Sequence, residues 1–184
     1  MDVRYQTSWR RFAAAVIDSL LFWPLSRLLR FTSQTASFPI VTFLALLLDA
    51  LSFLAYSIYM HGRFGQTIGK WFMKVEVISI DEGRLTMRQA VRRDSVPLAF
   101  TVLYLLFAIG PVFSGTSPYD REFEQGVLSF LAHAGLVWTA LELGTMLTNS
   151  KRRAIHDFIA GSVVVRRSNL LSNTDAREER PRAG

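Results

Sequence analysis

Four ionisable side chains sit where charge is expensive. Asp18, Asp49, His133 and Glu142 each interrupt a long apolar stretch of the chain. A charged group at the centre of a membrane helix costs about 2.5–3.5 kcal/mol on insertion scales, so its presence asks for a reason. Burial raises a carboxyl pKa by disfavouring the ion, and a bound cation or a nearby arginine lowers it again. A carboxylate held between those two effects can trade a proton for a monovalent cation. The chemistry to look for is therefore proton or cation exchange, with Asp18, Asp49, Glu142 and His133 as pathway candidates.

The elements that must position these groups are membrane helices. The 184 residues make one domain, and half of them are hydrophobic although 20% are charged. Segregation reconciles the two figures: apolar blocks cover 12–31, 38–60, 96–113 and 127–147, with the charges between them. Each block comes near or above the roughly 18–20 residues that span a bilayer core of ~30 Å. The expected architecture is an all-α bundle of four transmembrane helices. At the helical rise, Asp18 and Glu142 lie ~9 and ~8 Å from one membrane face, Asp49 ~16 Å from either, and His133 about 9 Å from the other. Asp18 and Glu142 share a layer on that geometry.

Charge sets the orientation. Of 21 Lys/Arg, eighteen fall in residues 1–11, in the connection 61–95 and in the tail after the last block; only Arg27, Arg30 and Arg121 lie toward the other side. Basic loops stay cytoplasmic during insertion, so both termini are expected inside. The same residues suit anionic lipid headgroups, at about 1 kcal/mol each. Nucleic acid is not an expected partner, since aromatic interleaving and RNA-binding signatures are missing. The first block is read as a retained anchor rather than a cleaved signal, because Asp18 breaks it and the small residues Ala13–Ala15 precede its core. There is no cysteine, which excludes disulfides, thiolate metal sites and a thiol nucleophile.

The connections carry further order. Six polar residues after the first block predict a tight hairpin, Pro24 interrupts the first helix, and Gly110-Pro111 is expected to end the third. Within 61–95, a β-rich run through Val75–Ile80 meets the turn Asp81-Glu82-Gly83, and Thr86 caps a short helix from Met87 to Asp94. A second β-like run, Ser162–Val165, is available to pair with the first. Residues 168–184 are polar and expected to be disordered.

Several motifs invite chemistry and are better read as structure. The run Gly65-Gln66-Thr67-Ile68-Gly69-Lys70 is no phosphate loop: three residues, not four, separate its glycines, and Trp71 follows where Ser or Thr is needed. A sharp turn at Gly69-Lys70, anchored by Trp71 at the interface, is the expectation. His156-Asp157 lacks a third ligand or a nucleophile at useful spacing, so capping with Arg152 and Arg153 is expected instead of catalysis or metal binding. No enzyme signature and no cofactor site is visible. Arg11 and Asp18 lie seven residues apart on one helix face, ~10 Å distant, so each should find other partners. For Asp18 these are a loop arginine, the Gly65–Lys70 segment or an ion. Asp49 and His133 have helix–helix hydrogen bonding as the alternative to a pathway role. Arg27 and Arg30 should snorkel outward.

Three of these segments together resemble the RDD family of bacterial membrane proteins. They are RRFAAAVID with Arg11 and Asp18, GQTIGK with the following KVEVISIDEG, and RRAIHDFIAGSVVV with His156 and Asp157. The resemblance covers 8–167 and makes Arg11, Asp18 and Asp157 the family's arginine and two aspartates. It implies a multi-pass protein of the bacterial inner membrane and points toward transport, some members having been linked to sodium/proton exchange. Asp49 and Glu142 lie outside the motif. Four helices are few to enclose a pathway, so a homodimer or a membrane-protein partner is expected. The competing expectation is a non-transporting scaffold or accessory module for another envelope protein.

Overall fold

The computed structural model describes residues 3–114, 126 and 129–167. After a 3-10 turn at Val3–Tyr5 come α1 (Ser8–Thr35), α2 (Pro39–Phe64), α3 (Ile68–Phe72), β1 (Val75–Ser79) and α4 (Met87–Arg93). They are followed by α5 (Ser95–Phe113), α6 (Ser129–Thr148), α7 (Ile155–Ala160) and β2 (Ser162–Arg166). Four helices, α1, α2, α5 and α6, are long and apolar enough to cross a membrane. The shortest, α5, has 19 residues and reaches about 28 Å, enough for a bilayer core. Large apolar side chains such as Trp23, Leu28, Phe130 and Leu136 point outward along these spans, as a lipid-facing surface requires.

The helix ends differ from expectation in two places. Helix α1 continues to Thr35, so only residues 36–38 link it to α2, where six had been expected. Thr32 and Thr35 donate their hydroxyls to the carbonyls of Leu28 and Phe31 at 3.0 and 2.8 Å, absorbing polar groups that would otherwise have favoured a loop. Pro39 then opens α2 at a position that needs no N–H donor. Helix α5 runs past Gly110-Pro111 to Phe113. A proline so near the end removes one donor, and Ser114 N still bonds Gly110 O at 3.0 Å. The fourth span begins at Ser129 among the described residues; the expected start at 127 and the tail 168–184 lie outside them.

The two β-like runs do pair. Strands β1 and β2 are antiparallel, with Val77 opposite Val164 and Ile78 opposite Val163. One face, Val75, Val77 and Val164, packs on Leu85 and on Ala90 of α4, and the other, Ile78, Val163 and Val165, packs on Tyr5. Alternating side chains thus bury both faces of so small a sheet. Thr86 caps α4 by accepting from Gln89 N while Gln89 Oε1 accepts from Thr86 N. Within the membrane, Leu46 of α2 packs on Ala108 and Val112 of α5. Helix α6 stands further off, and its close packing is on α7. The bundle therefore has a hairpin end, at the α1–α2 link, and a sheet end, where α3, α4, α7 and the strands gather.

Candidate functional site

The sheet end holds the densest polar network. Asp18 is buried in α1, nearly three turns in, and three donors meet its carboxylate. Gly69 N and Tyr56 Oη reach Oδ1 at 2.8 and 2.9 Å, and Thr67 Oγ1 reaches Oδ2 at 2.6 Å. Tyr56 Oη also accepts from Ile68 N at 2.8 Å, so the tyrosine bridges α2, α1 and the start of α3. Position 69 must be glycine. A Cβ there would stand 2.1 Å from the carbonyl oxygen of Ala14, inside α1 itself. The expected sharp turn at Gly69-Lys70 is instead the helix α3, because Thr67 caps it by accepting from Lys70 N. Trp71 faces outward, 54% exposed. Of the partners weighed for Asp18, the Gly65–Lys70 segment is the one it meets.

A second carboxylate lies alongside. Asp157 is fully buried, with Arg11 Nη2 on Oδ2 and Arg93 Nη1 on Oδ1, both at 2.7 Å. Ala154 N and Ser162 Oγ add donors at 3.0 and 3.3 Å. Burial works against this ion, but Arg93 and then Arg11 outweigh it and hold the carboxyl well below the usual carboxylate range. The capping expected of Asp157 is present at Ala154 N, but its cations are Arg11 and Arg93 and not Arg152 and Arg153. Arg153 instead lies over the Phe158 ring at 4.1 Å and donates to the backbone of Ser162 and Asp157, while Arg152 offers its carbonyl to Arg11. Arg152 and Arg153 precede α7, and Arg153 is taken up by Phe158 and by backbone carbonyls, which leaves the Asp157 carboxylate to arginines from other elements.

The partners of His156 fix its tautomer. Its Nε2 faces Arg93 Nη2 at 2.8 Å and Arg11 Nη2 at 3.2 Å, two donors that carry no lone pair, so Nε2 accepts. The proton is then on Nδ1, which donates to Glu142 of α6. Nε2 also stands 3.5 Å from Asp157 Oδ1, a pairing that would need a proton on Nε2. The shorter arginine contacts prevail. Burial and then Arg93 pull the His156 pKa below its ordinary value, in agreement with a neutral ring. The same reasoning applies to His61 in α2. Its Nδ1 donates to Ser57 O at 2.8 Å, which leaves Nε2 to accept from Lys70 Nζ. Lys70 is pulled well below its usual value by burial, then by Arg93 and Arg11. Ser57 Oγ in turn donates to Asp94 at 2.8 Å. These groups border one cleft of about 260 Å³, which Asp18, Lys70, Asp94, Trp138 and Glu142 line.

A model of the RDD family matches residues 5–161. The chain belongs to the RDD family. Neither a comparison with curated proteins nor one with solved structures finds a match. Of the three residues that carried the resemblance, this RDD protein joins Arg11 and Asp157 directly, and Asp18 lines the same cleft as Arg11.

The other pathway candidates fall elsewhere. Glu142 shares the cleft with Asp18, whereas Asp49 lies toward the hairpin end, accepting from Ser26 Oγ at 2.6 Å and from Arg30 Nε at 3.2 Å. Arg30 thus finds a carboxylate partner while its side chain stays exposed, and Arg27 is exposed as well. A separate cleft of about 510 Å³ opens at Asp49 and Arg30. His133 is exposed and its Nδ1 meets Ser129 O of its own helix at 2.6 Å, so it bridges no helices among the described residues. Sequence reasoning missed Arg93, His61, Asp94 and Tyr56. The four-residue spacing of Ser57 and His61, polar groups on one face near the end of an apolar helix, was the signal available.

Proposed function

We propose that this RDD protein lies in the bacterial inner membrane with both termini cytoplasmic and exchanges a monovalent cation for protons through the sheet-end cleft. The observation that supports this best is that carboxylates from separate helices, Asp18 of α1, Asp94 at the start of α5 and Glu142 of α6, line one cleft at the edge of the membrane. Asp18 and Asp157 hold the frame, and Glu142, bonded to the neutral His156, is the group that takes up and releases the proton. The role is non-enzymatic. A second copy or another membrane protein completes the unit, since α6 leaves much of its surface uncovered. In proteoliposomes carrying an internal pH dye, a Na⁺ or K⁺ pulse should move protons. Glu142→Gln should abolish that flux while the protein remains monodisperse in detergent. Silence of the dye with every monovalent cation would overturn the proposal.

The alternative, a scaffold or accessory module for an envelope protein, draws on the saturation of Asp18 and Asp157 by internal donors. A dye that stays silent alongside co-purification of a stoichiometric envelope protein would favour it.

A further inference from the structure

A third cavity, of about 370 Å³, opens at the sheet end and shares no lining residue with the aspartate cleft. Its floor is the last turn of α2, so it stands at the level where that helix leaves the bilayer. Three guanidinium groups converge on it from three segments: Arg63 at the end of α2, Arg84 after β1 and Arg167 after β2. Among the described residues no side-chain hydrogen bond or ion pair holds any of them. Two acceptors line the same space. Gln66 Oε1 is buried without a partner among the described residues. Glu76 is half-buried, and burial pushes its carboxyl up while Arg167 and Arg84 pull it back. The wall between them needs glycine at 65: the residue has φ +70°, its carbonyl takes Val77 N at 2.7 Å, and a Cβ would stand 3.2 Å from Glu76 Oε1.

An orphaned buried acceptor costs free energy until a donor reaches it. Three arginines that no hydrogen bond or ion pair holds among the described residues select an anion, and phosphate accepts their planar forks well. A ligand that satisfies both must carry a phosphate with hydrogen-bond donors a few atoms away. At membrane level that chemistry belongs to lipid. The geometry points to a specific phospholipid site, in which Arg63, Arg84 and Arg167 hold the headgroup phosphate while Gln66 and Glu76 accept from its terminal group. Ethanolamine and glycerol headgroups have such donors, and choline has none. The site is independent of any transport through the aspartate cleft.

The test uses the full chain purified from vesicles of phosphatidylcholine mixed with phosphatidylethanolamine or phosphatidylglycerol, with retained lipid counted by mass spectrometry. The donor-bearing lipids should be enriched roughly tenfold over phosphatidylcholine, the value of one hydrogen bond to a charged group. Arg84→Ala should lower retention of all three lipids. Gln66→Leu should leave total retention intact and erase the preference; if that variant misfolds, Glu76→Gln serves the same purpose. Equal retention of the choline lipid by the unaltered chain would overturn the inference. So would equal thermal stabilisation by glycerol 1-phosphate free in solution, which would make the occupant a soluble phosphate.

Discussion

Both ends of this bundle hold an aspartate–arginine pair, and the two pairs are built differently. At the sheet end Asp157 has no exposure and is gripped by two arginines that are themselves 9% and 4% exposed. At the hairpin end Asp49 meets one arginine at 3.2 Å, and that arginine is 57% exposed. Two enclosed cations and a set of backbone and hydroxyl donors make Asp157 a fixed part of the fold. Asp49 has Ser26 and a single loosely held cation, with a cleft in front of it. Similar residue types therefore serve as a lock in one place and as an adjustable contact in the other. Enclosure decides between them.

Removing the lock should do the most damage. Asp157→Ala leaves Arg11 and Arg93 buried without a counter-anion, and breaking a buried pair in this way costs about 3–5 kcal/mol. The melting temperature in detergent should collapse, and an unchanged value would dissolve the contrast between the two ends. Gly69→Ala comes next. Its methyl group would collide with the Ala14 carbonyl and push α3 off α1, at about 1–3 kcal/mol for an overpacked contact, read as lost thermal stability and faster proteolysis between α2 and β1.

A pH series sharpens the comparison. Burial and Arg93 hold His156 below its ordinary value, so the folded protein refuses a proton that the unfolded chain accepts near pH ~6.5. Stability is then complete above that pH and falls as pH drops below it, by about 1.4 kcal/mol for each pH unit separating the two states' pKa values. His156→Asn should flatten the melting curve's dependence on pH below about pH 6.5. Asp157, whose folded pKa is depressed, contributes stability that is intact above the ordinary carboxyl value near ~3.9 and lost only as pH falls further. Asp49→Asn should have the smallest effect, below about 1 kcal/mol, as for an exposed ion pair. A loss as large as that of Asp157→Ala would show the hairpin end to be equally locked.

Much of the frame could be read directly. Apolar block length marks the four spans, runs of β-branched residues mark the strands, and Thr86 marks the start of α4. The sites were legible only in part, for local reasons. Arg93 reads as one of three basic residues on a short helix, and what buries it is the packing of α4 against α2 and α7, which no local pattern encodes. Asp157 reads as a partner for adjacent arginines, whereas Arg11, which pairs with it, is 146 positions away. Lys70 reads as an interfacial cation until Thr67 caps α3 and turns it toward His61. Arg30 reads as a snorkelling side chain because its partner Asp49 is on the next helix and depth alone does not reveal facing.

The bond between Arg11 and Asp157 also has a meaning for biogenesis. Polypeptides enter the membrane from the N-terminus onward, so α1 arrives with its arginine long before the carboxylate that neutralises it is translated. A ribosome that stalls between codons 148 and 157 leaves a product that has all four spans but lacks α7 and Asp157, so Arg11 and Arg93 have no shared anion. Proteases that patrol the membrane for unfinished chains are thus offered a chemical mark of incompleteness, erased only when the last stretch of the domain folds back onto the first.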